Sequence, residues 1–175
     1  MIKTKIVLPL LVIAVLSGCA TPATRQAMTV QSTSVSVMQQ QKGKFVVEKV
    51  TGGKATNPMW TSQVSQENFE GALKDSLLTV GLTSPDPTSS TFKIDADLVS
   101  LEQPMFGLTF DVVSTVNYRV YKDGFEKSIP VKATGTATVS DAFIAIERLK
   151  LANEKSIQEN IKAFIVQLNS MVDVK

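Results

Sequence analysis

The chain contains no histidine, and its only cysteine is Cys19. One cysteine excludes an intrachain disulfide, and the lack of histidine excludes Ser-His-Asp and Cys-His nucleophiles and zinc sites built on imidazole. A glycine-rich phosphate loop and a serine in a nucleophile-elbow context are also missing. We therefore predict no catalytic residue, no metal site and no cofactor, and we expect a protein that is not an enzyme.

An excess of charge of either sign is missing as well. The chain has 18 Lys and Arg against 16 Asp and Glu, and Lys3 and Lys5 account for the difference. The chain from Cys19 onward is therefore neutral, and it has no run of basic residues. A neutral domain has no electrostatic attraction for a phosphate backbone, which excludes nucleic acid as a predicted partner.

The N-terminus has the features of an export signal. Lys3 and Lys5 precede an apolar run over residues 6–16, and Ser17-Gly18-Cys19 follows. A transmembrane helix needs about 20 apolar residues, so this run is too short to cross a bilayer. We interpret residues 1–18 as a signal peptide.

The segment Leu16-Ser17-Gly18-Cys19 resembles the lipobox of bacterial lipoproteins. The resemblance implies that the leader is cut before Cys19, that the thiol receives a diacylglycerol, and that the new amino group is acylated, for example with palmitate. Ala20 follows the cysteine where an aspartate would favour retention in the inner membrane. By resemblance to the Gram-negative sorting rule, this implies a lipid anchor in the outer membrane facing the periplasm, with surface exposure left open. A plain signal peptide, or a buried apolar strand with an incidental cysteine, is the alternative.

The remaining chain divides by composition. Residues 19–42 are rich in Thr, Ser, Gln and Ala, which predicts a lipidated N-terminus followed by a flexible tether. Residues 43–175 carry the periodic apolar patterns of a single periplasmic α+β domain.

The order of these patterns predicts the fold class. A strand at 45–50 precedes a helix that starts after Ser65 and stops at Gly81. Three alternating strands follow, at 92–98, 108–121 and 127–140, and Ser140-Asp141 is expected to cap a long second helix. We predict a two-layer α+β sandwich with β-α-β-β-β-α order, in which a four-stranded, mainly antiparallel sheet carries two helices on one face.

The lipobox, the polar tether and this element order resemble the small outer-membrane lipoproteins of the YajG and LptE type. The resemblance implies an envelope location and a similar domain. It is a pattern over residues 45–172 without signature residues, so it transfers no site beyond Cys19.

Two apolar features are candidate partner contacts. Trp60 is the only tryptophan, and the alternatives are a core or lid residue and an interface anchor for a partner. Pro104, Met105 and Phe106 lie where two strands should be joined by a turn. They either tuck into the core or form an exposed contact for a protein or lipid.

Three hypotheses of function follow. The first is a non-enzymatic lipid-anchored protein that binds another component of the cell envelope, expected to be another envelope protein. The second is an accessory that handles lipid or lipopolysaccharide in a groove between the helices and the sheet. The third is an enzyme acting on cell-wall material through a carboxylate cluster of Asp95, Asp97 and Asp111.

Overall fold

The computed structural model describes residues 20–58, 61–84, 86 and 90–171. The described elements, in chain order, are α1 (Arg25–Met28), two short 3-10 turns (Ser32–Ser34 and Gln39–Gln41), β1 (Phe45–Gly52), α2 (Gln66–Thr79), β2 (Phe92–Glu102), β3 (Thr109–Lys122), β4 (Phe125–Thr138) and α3 (Ala145–Asn169). Among them, no helix is both long enough and apolar enough to cross a membrane.

The four strands form one sheet in the order β1-β2-β3-β4. β1 and β2 are parallel, because α2 lies between them in the chain, whereas β2, β3 and β4 are successive antiparallel neighbours. Asp123-Gly124 forms the hairpin turn between β3 and β4, where Lys122 pairs with Phe125 and Gly124 has a positive φ. The predicted α+β class with a mainly antiparallel sheet is confirmed.

The core lies between the sheet and the helices. Alternate residues of each strand are buried, as the period of two requires, and they meet the apolar side of α2 and α3. At the centre, the ring of Tyr118 on β3 stacks on Phe164 of α3 with centroids 3.7 Å apart. Gly135 on β4 allows α3 to approach closely, because a Cβ at this position would lie 2.1 Å from the backbone nitrogen of Ser156.

Helix α2 begins and ends where the sequence indicates. The hydroxyl of Ser65 accepts a hydrogen bond from the amide of Asn68, which satisfies one of the free N–H groups of the first turn. Gly81 adopts φ +81°, and the amide of Leu82 returns to the carbonyl of Leu77. This is the C-terminal geometry that glycine favours, because it has no Cβ.

The predicted cap of the second helix is wrong. Helix α3 begins at Ala145, with Ile144 at the N-cap position and no side-chain capping bond. Asp141 instead accepts hydrogen bonds from the amide and hydroxyl of Thr138 and from the Nζ of Lys155. The carboxylate closes the turn at the end of β4, so three further residues separate Asp141 from the start of α3.

The prediction of a flexible tether is also wrong for residues 20–42. Ala23, Met28 and Val30 in this segment are fully or almost fully buried in the core. Glu154 of α3 accepts hydrogen bonds from the amide and hydroxyl of Thr24, and Ser76 of α2 bonds the amide of Val30. The few apolar residues of this polar segment pack against the helices and are buried in the core, so the segment is part of the fold.

Candidate functional site

The loop between β2 and β3 exposes large apolar side chains. Met105 is 84% exposed, Phe106 is 85% exposed, and Leu108 is also strongly exposed. Pro104 beside them is half-buried. Of the two alternatives that the sequence left open, the structure shows exposure and not burial in the core.

A second loop, between β4 and α3, exposes apolar residues that the sequence analysis missed. Phe143 is 91% exposed, and Ile144 next to it is more than half exposed. The signal was present, since a phenylalanine and an isoleucine directly before a helix have no capping role. A helix that began after a cap at Ser140-Asp141 would include both residues, so the incorrect cap prediction concealed their exposure.

Arg148 joins the two loops. Its guanidinium donates to the carbonyl oxygens of Ala142 (2.9 Å) and Phe143 (2.6 Å) in one loop and of Gly107 (3.3 Å) in the other. The side chain is buried and lies 5.2 Å from the ring centroid of Phe110, while its Nε has no hydrogen-bond partner. Within the described part of the chain, Arg148 forms no ion pair with a carboxylate. We refer to the exposed side chains that these loops present as the apolar surface: Met105, Phe106, Leu108, Phe143 and Ile144.

A groove of about 600 Å³ runs behind the apolar surface. It is lined by residues of the β2–β3 loop, by Phe110 of β3, and by Ala145, Ile146 and Leu149 in the first two turns of α3. The groove is open to solvent and mostly apolar, so apolar side chains at this end of the molecule include residues of β3 and α3 as well as the exposed loop residues.

The first described residues lie at the same end. The amide of Ala20 donates to the carbonyl of Pro58 (2.8 Å), and the hydroxyl of Ser62 donates to the carbonyl of Thr21 (2.8 Å). The Nε2 of Gln103, directly before the exposed loop, donates to the carbonyl of Ser62 (2.9 Å). Two hydrogen bonds through one residue therefore connect the N-terminal segment to the base of the apolar surface.

A buried amide fixes this connection to α3. The Nδ2 of Asn153 donates to the carbonyl of Ser62 (3.0 Å), and its Oδ1 accepts from Gln103 (2.7 Å). Asn153 is fully buried, so both of its bonds replace water that folding removed. A polar residue in the apolar stripe of α3 thus ties the base of the β2–β3 loop, and Ser62 that bonds the N-terminal segment, to α3.

Cys19 and Trp60 lie outside the described residues, so their predicted roles stay predictions. The carboxylates of the third hypothesis are not brought together. Asp95 pairs with Arg119 and Asp97 accepts from Thr51, whereas Asp111 accepts from Thr136.

The strand register explains this separation. Asp97 lies opposite Asn117, and Asp111 is six residues from Asn117 along β3, or about 20 Å at 3.3 Å per residue. In the described ranges, no group of three potential ligands among Asp, Glu, His and Cys could hold a metal ion.

No protein-family model matches the chain, and no curated protein matches it. One similar solved structure is a candidate lipoprotein from Caulobacter crescentus CB15, with 14% sequence identity and a TM-score of 0.45 over 73% of this chain and 92% of that chain. Another is the CT253 protein of Chlamydia trachomatis, with 11% identity and a TM-score of 0.43 over 73% of this chain and 93% of that chain. A third is a minor lipoprotein from Acinetobacter baumannii, with 13% identity and a TM-score of 0.43 over 74% of this chain and 92% of that chain. These TM-scores lie below 0.5, so the function of this chain is argued from its own residues.

Proposed function

We propose that this chain is a non-enzymatic, lipid-anchored protein of the bacterial envelope that binds another envelope component through the apolar surface. Residues 1–18 direct export, and Cys19 carries the acyl chains. Ala20 at the following position favours the periplasmic side of the outer membrane. The resemblance to lipoproteins of the YajG and LptE type agrees with this proposal and remains an interpretation of the sequence pattern.

The observation that carries the proposal is the exposure of Met105, Phe106 and Phe143, each more than four-fifths accessible to solvent. Single exposed apolar residues are ordinary, but a contiguous group on two loops marks an interaction site. The loops are held by Arg148 and Asn153, so the surface is organised before it meets a partner. A pre-organised surface loses less conformational entropy on binding.

Two other surfaces are weaker candidates for the contact. The outer face of the sheet carries paired charges, such as Arg119 with Asp95. A partner that covered this face would have to remove the water that solvates these charges. The outer edge of β4 contains Pro130 and two lysines, Lys127 and Lys132. Proline and lysine on an edge strand oppose the addition of another strand.

The lipid-handling hypothesis placed a ligand between the helices and the sheet. That space is occupied by packed side chains, with Tyr118 stacked on Phe164 and Asn160 bonded to both Tyr118 and Ser114. The remaining groove lies at the end of the molecule and is open. Its position favours contact with a surface over enclosure of a lipid molecule.

Site-specific photo-crosslinking in intact cells tests the proposal. A photoreactive amino acid is introduced at Phe106, and in a separate variant at Val166, an exposed apolar residue near the other end of α3. We expect light-dependent adducts with an envelope component at position 106 and not at position 166. Equal labelling at both positions, or none at 106 in processed protein, would contradict binding through the apolar surface.

A further inference from the structure

We infer that the envelope component contacted by the apolar surface is the bilayer that holds the anchor, so that the domain rests on the membrane with Met105, Phe106, Leu108, Phe143 and Ile144 in the headgroup region. This inference rests on the proposed acylation of Cys19. It adds the identity of the partner and the orientation of the domain.

The first step is that the described chain is packed against the domain from Ala20, its first described residue, onward. Ala20 is buried and bonded to Pro58, and Ala23 is bonded to Gln63 (3.1 Å). Acyl chains on the preceding residue, Cys19, would be attached one peptide unit, about 3.8 Å between Cα atoms, from this hydrogen-bonded position. Acyl chains on Cys19 enter the membrane directly below this point, and the adjoining protein surface is brought to the headgroups.

The second step is that the adjoining surface is the apolar one. Thr21, Ser62 and Gln103 form a continuous hydrogen-bonded connection, and the exposed loop begins at the next residue. Thr61 lines the same groove as Met105 and Phe106. The segment that emerges toward Cys19 and the exposed apolar side chains therefore share one end of the sandwich.

The third step concerns charge. Two of the carboxylates that flank the loops are paired, Glu102 with Lys132 (3.7 Å) and Asp141 with Lys155 (2.8 Å), whereas Glu147 in the first turn of α3 forms no ion pair among the described residues. The buried guanidinium of Arg148 lies between the loops, where carbonyl oxygens solvate it but leave its positive charge in place. A positive centre beneath an apolar surface complements the phosphate layer of a bilayer, where apolar side chains sit about 5–10 Å deep.

The inferred orientation also defines the opposite end. Helix α3 has 25 residues and is about 37 Å long at 1.5 Å per residue. Its first turn lies beside the apolar surface, so its last turn, with Val166, is directed away from the membrane.

The experiment uses the full chain, expressed with its leader and extracted with its acyl chains. Because Cys19 is acylated, the variants Phe143→Cys and Val166→Cys each present a single free thiol. Each is labelled with an environment-sensitive fluorophore and reconstituted into phosphatidylethanolamine–phosphatidylglycerol vesicles, with and without lipids that carry a quencher near the headgroup. Phe143 is 91% exposed and Val166 is 53% exposed, so neither substitution removes core packing.

Headgroup quenchers are expected to lower the emission at position 143 by at least about twofold, because the side chain lies in the interface, and to leave position 166 unchanged. Equal emission with and without quencher at 143, in protein shown by mass to be acylated, would overturn the bilayer contact alone. A probe at 143 that is shielded in native envelopes but exposed in vesicles would identify a protein partner and would also overturn it. An unacylated Cys19 would overturn the proposed function itself.

Discussion

The backbone amide of Ala20 donates to the carbonyl oxygen of Pro58 at a distance of 2.8 Å. This bond ties the residue that follows the proposed lipid-bearing cysteine to a loop of the folded domain. A tether would let the domain move freely above the membrane, whereas this contact fixes which end of the sandwich is near the anchor. The inferred orientation of the domain at the membrane rests on this packing of the N-terminal segment.

Replacing Met28 with Ala should lower the free energy of unfolding by about 2–5 kcal/mol, because its fully buried side chain fills the core beside α2 and α3. The matched control is Met38→Ala, at a position that is 49% exposed, and it should change stability by less than about 0.5 kcal/mol. Denaturant titration measures both. If both substitutions changed the free energy of unfolding equally and only slightly, residues 20–42 would behave as the flexible tether that the sequence predicts.

Replacing Gly135 with Ala should destabilise the domain by about 3 kcal/mol, at the upper end of the usual cost of overpacking, because the new methyl group would lie 2.1 Å from the nitrogen of Ser156 and 2.4 Å from the oxygen of Ala152. Both contacting atoms belong to the backbone of α3, so they can move away only if the helix moves away from the sheet. Thr134→Ala on the exposed side of β4 is the control and should cost less than about 1 kcal/mol. Thermal unfolding followed by circular dichroism distinguishes them, and a near-neutral Gly135→Ala would show that α3 does not pack as described.

Replacing Arg148 with Met should release the two loops from each other, since three carbonyl bonds are lost. We expect faster hydrogen exchange of the backbone amides in residues 104–108 and 142–144, and a loss of about 2–3 kcal/mol in stability. Lys150→Met, two residues along the same helix, serves as the control. Unchanged exchange in both loops would contradict the role of Arg148 in organising the apolar surface.

Asp141 should make stability depend on acid pH. The hydrogen bond from Lys155, followed by those from the backbone and hydroxyl of Thr138, holds the pKa of this carboxyl well below its ordinary value of 3.8. A carboxyl with a lowered pKa stabilises the fold above the pKa of the unfolded chain, and this stabilisation is lost as the pH falls below about 4.

Asp141→Asn should therefore flatten the decline of the unfolding free energy between about pH 4 and pH 2, since the group that takes up the proton is gone. Asp123→Asn, in the exposed β3–β4 turn, should keep the steeper wild-type decline. Identical acid slopes for wild type and Asp141→Asn, measured by urea titration at each pH, would rule out this contribution.

Local and periodic features account for what the sequence predicts correctly. Alternation along β3 and β4 specifies which faces are buried, and Ser65 and Gly81 mark the ends of α2 through contacts within a few residues. Gly135 is ambiguous from the sequence, because a glycine in a strand is compatible with a bulge or with the close approach of a helix, and the structure shows the close approach.

Long-range contacts account for what the sequence does not predict. Residues 20–42 have a tether-like composition, but their buried side chains complete a layer formed by residues more than a hundred positions away, as the bond between Thr24 and Glu154 shows. Asp141 has the local pattern of a helix cap, yet Lys155 and Thr138 compete for its carboxylate. The second half of the apolar surface was missed for this reason, since Phe143 was assigned to a helix that begins later.

The central claim is that the domain is attached to a membrane through acyl chains on Cys19. The most direct test is the intact mass of the protein extracted from membranes, together with fragmentation of its N-terminal peptide. We expect a chain that begins at Cys19, with a diacylglycerol on the thiol and a fatty acid on the amino group. A retained leader, or a free thiol on Cys19, would contradict it.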